Sequence, residues 1–116
     1  MRIISGDLKG RSINFIRNDK TRPLKDSVKE NIFNIINHSS LINVNIENSS
    51  VLDLYSGIGS FGIECISRGA KKVTFIERDM NASRMLKENL TELSIFEKTK
   101  VYSNEIEDIL SRNKNE

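Results

Sequence analysis

From Ser50 onward, short apolar runs alternate with segments whose apolar residues recur at helical spacing. Val51-Leu52-Asp53-Leu54 predicts a strand, followed by a glycine turn over Ser56–Gly62. Phe61–Arg68 is dense enough in apolar residues for a buried helix, and Gly69 stops it. A second strand, Lys72–Ile76, ends at Glu77. Asp79 can cap the next helix, along which Ala82, Met85, Leu86, Leu90 and Leu93 keep helical spacing. Thr99–Tyr102 predicts a third strand, and Ile106, Ile109 and Leu110 a last short helix. Parallel strands need crossovers, which are right-handed. The alternation therefore predicts an α/β doubly wound sheet.

The first half reads differently. Residues 2–5 and 11–16 predict two short strands around Asp7-Leu8-Lys9-Gly10, a hairpin set apart from the main body, with Gly10 as the permissive turn position. Residues 17–25 form a polar connector in which Pro23 blocks a helix. A helix begins at Asp26 or Ser27, where Ser27 and Glu30 have capping-box spacing. Its expected buried face is Val28, Ile32, Ile35 and Ile36, and it ends within Asn37–Ser40. The organisation expected is a basic hairpin and connector over residues 1–25, then an α/β unit over 26–116.

Length narrows this picture, since 116 residues fit one domain. No apolar run approaches the roughly 18 residues of a membrane span. The opening MRIISGDLKGR lacks the apolar stretch of a secretory signal. A single cysteine, Cys65, allows neither an internal disulfide nor a cysteine-rich zinc site, so a reducing cytoplasm is the expected location. Cys65 itself reads as a small buried hydrophobe, and the lone His38 as an exposed side chain; no metal site is expected.

Net charge is only +2, but it is unevenly spread. Residues 1–25 hold seven Lys and Arg against two acids, whereas acids outnumber bases thereafter. Such a basic end suits phosphate contact; a solvated terminus would look the same.

The segment VLDLYSGIGSFG carries Gly57, Gly59 and Gly62 between a strand and a helix. Glu77 stands at the tip of the next strand, twenty residues after Gly57. Glycines let backbone approach a ligand, and a carboxylate at that tip can accept hydrogen bonds from a ribose diol. A purely structural tight turn is the alternative. Asp53 favours one nucleotide over another: a carboxylate aimed into this pocket repels a pyrophosphate but suits a cationic ligand such as the ammonium group of S-adenosylmethionine. Capping of the turn is the structural alternative for Asp53.

Three blocks, MRIISGDLKGRSI, TRPLKDSVKENIFNII and VLDLYSGIGSFGIECISRGAKKVTFIERD, occur in an order and spacing that resemble the RsmD family of 16S ribosomal RNA guanine-N2 methyltransferases. The resemblance runs over residues 1 to about 80, and more loosely to about 110. It implies the first half of a class I Rossmann-like sheet with S-adenosyl-L-methionine as cofactor. Asp53, Gly57 and Gly59 would line its methionine end and Glu77 would hold the ribose. Asn104 would lie near the adenine, although an Asn capping the final helix reads equally well. The hairpin and connector would help hold RNA, with Arg2, Lys9, Arg11 and Arg22 on phosphates. Leu24-Lys25 departs from the small hydroxyl residues common in relatives. Tyr55 is expected against the wall of the site.

The family's Asn- or Asp-Pro-Pro-aromatic tetrapeptide, which accepts hydrogen bonds from the guanine amino group and stacks on the flipped base, is absent; the single proline is Pro23. No catalytic residue is therefore assigned. The first strand is expected to keep one unpaired edge. The chain reads as a truncated or split relative, one to be completed by another chain that supplies a C-terminal half, with a small-subunit RNA or assembly intermediate as partner. A non-catalytic RNA-binding remnant is the alternative. An NAD-dependent oxidoreductase fragment is a third reading, disfavoured by Asp53 and the N-terminal blocks.

Overall fold

A computed structural model describes residues 1–15, 25–39, 41 and 44–103. Arg22, Pro23, Asn104 and the short helix expected around Ile106–Leu110 lie outside the described residues. The remaining elements follow in the order α1 (Asp26–His38), β1 (Ser50–Leu54), α2 (Ser60–Ser67), β2 (Lys72–Ile76), α3 (Met80–Glu92), a 3₁₀ turn at Phe96–Lys98, and β3 (Thr99–Tyr102).

The three strands form one parallel sheet in the order β1-β2-β3, with Asp53 opposite Phe75 and Phe75 opposite Val101. Both crossovers advance in the same direction, so their right-handedness carries α2 and α3 to the same face. That face bears Asp53, Val73 and Phe75, all buried. On the other face Leu52 (54% exposed), Leu54 and Tyr102 remain open. Double winding thus reaches one face only among the described residues. On its outer side β1 has no strand partner among them, as expected.

The N-terminal segment departs from the hairpin expected of it. Its strand pairing reduces to one antiparallel bridge, Arg2 with Ser12. It does not stand apart either: Ile3 and Ile13 are buried in the same cluster as Phe33, Ile63, Phe75 and Leu86. The physical reason lies in where its backbone groups find partners. Ile4 and Ser5 donate their N–H groups to the two oxygens of Glu64, at 2.9 and 3.0 Å. Leu8 N–H donates to Ser67 Oγ, and Asp7 N–H to the Ser67 carbonyl. The two arms still exchange a few bonds, Ile3 N–H to the Arg11 carbonyl and Ile13 N–H to the Met1 carbonyl, while α2 supplies the partners of Ile4, Ser5, Asp7 and Leu8. At Gly6, with φ +87°, a Cβ would lie 1.9 Å from the Ser67 carbonyl oxygen, so only glycine allows this approach.

Helix α1 corrects two expectations. It starts at Asp26 with Lys25 as N-cap and no side-chain cap, so Ser27 falls inside the first turn and the Ser27–Glu30 capping box does not form. Its buried positions are Lys29 and Phe33, whereas Val28 and Ile35 are exposed. The helix is rotated toward α2 because Lys29 has partners there. Its Nζ lies 3.3 Å from Glu64 Oε1 and donates to Ser60 Oγ at 3.2 Å. Phe33 stacks on Phe61, with ring centroids 5.0 Å apart, and carries the Arg68 guanidinium over its face. No described helix is long and apolar enough to cross a membrane.

Candidate functional site

The carboxyl ends of β1 and β2 meet at the glycine loop, which Ser56 fixes. Ser56 N–H donates to the Ile76 carbonyl, its Oγ accepts from Ile76 N–H, and the same hydroxyl donates to the Asp53 carbonyl at 2.6 Å. The chain then turns through left-handed Tyr55, Gly57 and Gly59. A Cβ on Gly59 would meet Leu86 Cδ1 at 2.3 Å, so this turn and its packing on α3 both require glycine. Beside Gly57, by contrast, a Cβ would find nothing within 4 Å. That is the open side of the loop.

Asp53 is 8% exposed. Gly59, the N-cap of α2, has no side chain to offer the first turn, and Asp53 Oδ2 takes the N–H of Gly62, the third helical residue, at 3.2 Å. This is the capping role raised as the structural alternative, supplied from β1. It leaves the carboxylate with one hydrogen bond among the described residues. Burial pushes Asp53 up to about 6, the Gly62 N–H opposes that shift, and the nearby Glu77 charge adds to it.

Glu77 stands at the tip of β2, half-buried. Its Oε1 accepts from Gly57 N–H at 2.8 Å and its Oε2 from Asp79 N–H at 2.7 Å. The strand-tip carboxylate thus braces the glycine loop, while each oxygen keeps a second lone pair for a hydroxyl donor. Asp79 caps α3 as expected, accepting from Ala82 N–H.

The structure brings Asp53, Gly57, Gly59 and Glu77 together; Asn104 lies outside the described residues. Tyr55 is a correction: it is 77% exposed rather than packed on the site wall, because its left-handed backbone turns the side chain to solvent. Of the basic residues, Arg2 and Lys9 are exposed, and Arg11, also exposed, donates from Nη2 to the Glu92 carbonyl at 3.3 Å. An open depression of about 610 Å³ separates the N-terminal segment from α3, with Met1, Ile13, Phe15, Met85 and Glu88 among its walls. Cys65 is buried, as expected, and burial pushes its thiol up to about 12. His38 is exposed.

Three residues of this region were not singled out from the sequence: Lys29, Glu64 and Asn89, each 1% exposed or less. One signal was available. Asn89 interrupts the apolar stripe between Leu86 and Leu90, and Glu64 sits among the apolar residues of a buried helix.

The chain matches the sequence profile described as Conserved hypothetical protein 95 over residues 1–116. It is 41% identical over 93 residues to Ribosomal RNA small subunit methyltransferase D of Haemophilus influenzae, covering 80% of this chain and 45% of that protein. It is 40% identical over 107 residues to YlbH of Bacillus subtilis, named as a candidate rRNA methyltransferase, covering 92% of this chain and 55% of that protein. The chain thus spans about half the length of the curated relatives it matches. Among solved structures, Escherichia coli yhhF, a candidate methyltransferase by name, is similar with a TM-score of 0.79 and 29% identity, covering 95% of this chain and 55% of that one.

Proposed function

Because the chain belongs to the family described as Conserved hypothetical protein 95, the RsmD family its sequence resembles, we propose that it is the cofactor-binding portion of an S-adenosylmethionine-dependent enzyme that methylates a guanine N2 in 16S ribosomal RNA. The observation that carries this reading is Asp53: a buried carboxylate with one hydrogen bond among the described residues, at the end of β1 that leads into the glycine loop. A cationic group restores the charge stabilisation that burial removes. The residues present therefore fit the cofactor. Asp53 holds its ammonium group, Gly57 and Gly59 line the methionine end, and Glu77 accepts from the ribose hydroxyls. Asn104 is assigned to the adenine by resemblance. When bound, S-adenosylmethionine supplies an electrophilic sulfonium methyl group.

The N-terminal segment holds RNA through Arg2, Lys9, Arg11 and Arg22, which contribute affinity without reading sequence. Arg11 turns from the Glu92 carbonyl to a phosphate. In this reading residues 1–25 are the RNA-contacting part, residues 26–116 the cofactor part, and the cytoplasm the place of action. Acceptors for the guanine amino group come from polypeptide beyond these residues, added at the free edge of β1, whether continuous with this chain or separate. Isolated, the 116 residues bind cofactor weakly and do not turn over. Calorimetric titration with S-adenosylmethionine against NAD tests the assignment. Binding of the former, lost in Asp53→Asn, supports it, and NAD binding overturns it; robust methyl transfer to small-subunit RNA by this chain alone overturns the statement that these residues do not turn over.

A further inference from the structure

Asn89 joins two segments to which separate ligands have been assigned. Its amide is 1% exposed on the inner side of α3. Oδ1 accepts the Asn14 N–H at 2.9 Å, and Nδ2 donates to the Asn14 carbonyl at 2.9 Å and to the Ile58 carbonyl at 3.1 Å. Both amide hydrogens and the oxygen are thereby used. Asn14 belongs to the N-terminal segment, and Ile58 lies between the two loop glycines, Gly57 and Gly59. Neighbouring Leu86 and Leu90 are fully buried, so packing alone would favour a third apolar side chain here. The polar residue has instead a partner in each of two chain segments.

We infer that Asn89 is a positioning residue that ties the N-terminal segment to the glycine loop, so that RNA on one and S-adenosylmethionine on the other strengthen each other's binding. Ordering either segment orders the other through one rigid amide, and coupling of this kind is reciprocal. The inference rests on the proposed function above, and the test separates the two.

The measurement is the cofactor dissociation constant of the full chain, with and without a saturating guanine-containing hairpin of 16S sequence. RNA is expected to tighten S-adenosylmethionine by about fivefold or more, a typical coupling factor. In Asn89→Leu, which keeps the volume, each ligand alone still binds and the factor falls to about one. A factor of one in the unsubstituted protein, or an unchanged factor in Asn89→Leu, overturns the inference while leaving the cofactor assignment intact. Absence of any cofactor binding refutes that assignment, and the inference with it. Should the variant fail to fold, hydrogen exchange of the unsubstituted chain decides: RNA alone slows the amides of residues 57–59, and unchanged exchange there refutes the tie.

Discussion

Asp53 and Glu64 are both carboxylates removed from water, on adjacent elements facing the same core, yet they are treated in opposite ways. Glu64 receives two backbone N–H groups, the Arg68 guanidinium and the Lys29 ammonium. Although burial works against its charge, these partners together hold its carboxyl below the usual range. Asp53 receives one backbone N–H and sits near a second negative charge, and its carboxyl rises to about 6. Burial alone therefore says little about role; the supply of partners does. A carboxylate saturated by protein groups fastens segments together. One left short of partners at a strand tip keeps oxygen lone pairs for a group from outside, the role proposed above for Asp53.

The sharpest way to break this contrast is to remove Glu64. Glu64→Leu leaves Lys29 buried without its counter-charge, and stability is expected to fall by about 3–5 kcal/mol in urea unfolding. The double variant Lys29→Met/Glu64→Leu should recover most of that loss, because neither charge remains to be desolvated. A double variant no more stable than the single one would show that Glu64 acts chiefly through Ile4 and Ser5.

Asp53→Asn should behave in the reverse manner. Stability is expected to hold or rise slightly, while S-adenosylmethionine affinity drops by about 10- to 100-fold, the range of a charge-assisted hydrogen bond. Calorimetry alongside thermal unfolding reads both quantities.

The two carboxylates also give pH slopes of opposite sign. Asp53, raised from 3.8 to about 6, binds its proton more readily when folded, so its contribution to stability shrinks as pH rises through that window. Glu64, lowered from 4.5, contributes fully above that value and loses its contribution as pH falls through its folded value. Cofactor affinity should weaken by up to about tenfold per unit below pH 6, since a cation needs Asp53 ionised. Titrations from pH 7 to 5 check this, and Asp53→Asn should flatten the profile.

The mildest test uses an exposed carboxylate. Asp79→Ala removes the Ala82 cap of α3 and should cost about 1 kcal/mol with little effect on ligand binding.

Much of the fold was legible because periodicity carries it. The strands expected at Val51–Leu54, Lys72–Ile76 and Thr99–Tyr102 match β1, β2 and β3 to within a residue, and the expected α2 shifts by one. Asp53, Gly57, Gly59 and Glu77 were legible as a set because loop spacing brings them together. The N-terminal segment was less so, since beside its few hairpin bonds Ile4, Ser5, Leu8 and Asn14 bond to side chains 59 to 75 residues away, which leave no periodic trace. Helix α1 misled for a related reason. Apolar spacing pointed to Val28 and Ile35, whereas an ion pair with a distant helix turned Lys29 inward.

The outer rim of β1 has a consequence for handling the molecule. Strand β3, at the opposite border among the described residues, carries Lys100 and follows Lys98, charges of the kind that discourage sheet-to-sheet adhesion. The sequence SVLDL of β1 has no lysine or proline on guard, and its two exposed leucines extend the sticky strip onto the face that carries no helix among the described residues. Concentrated solutions of these 116 residues should accordingly self-associate through that border, visible as light scattering that Leu52→Lys suppresses.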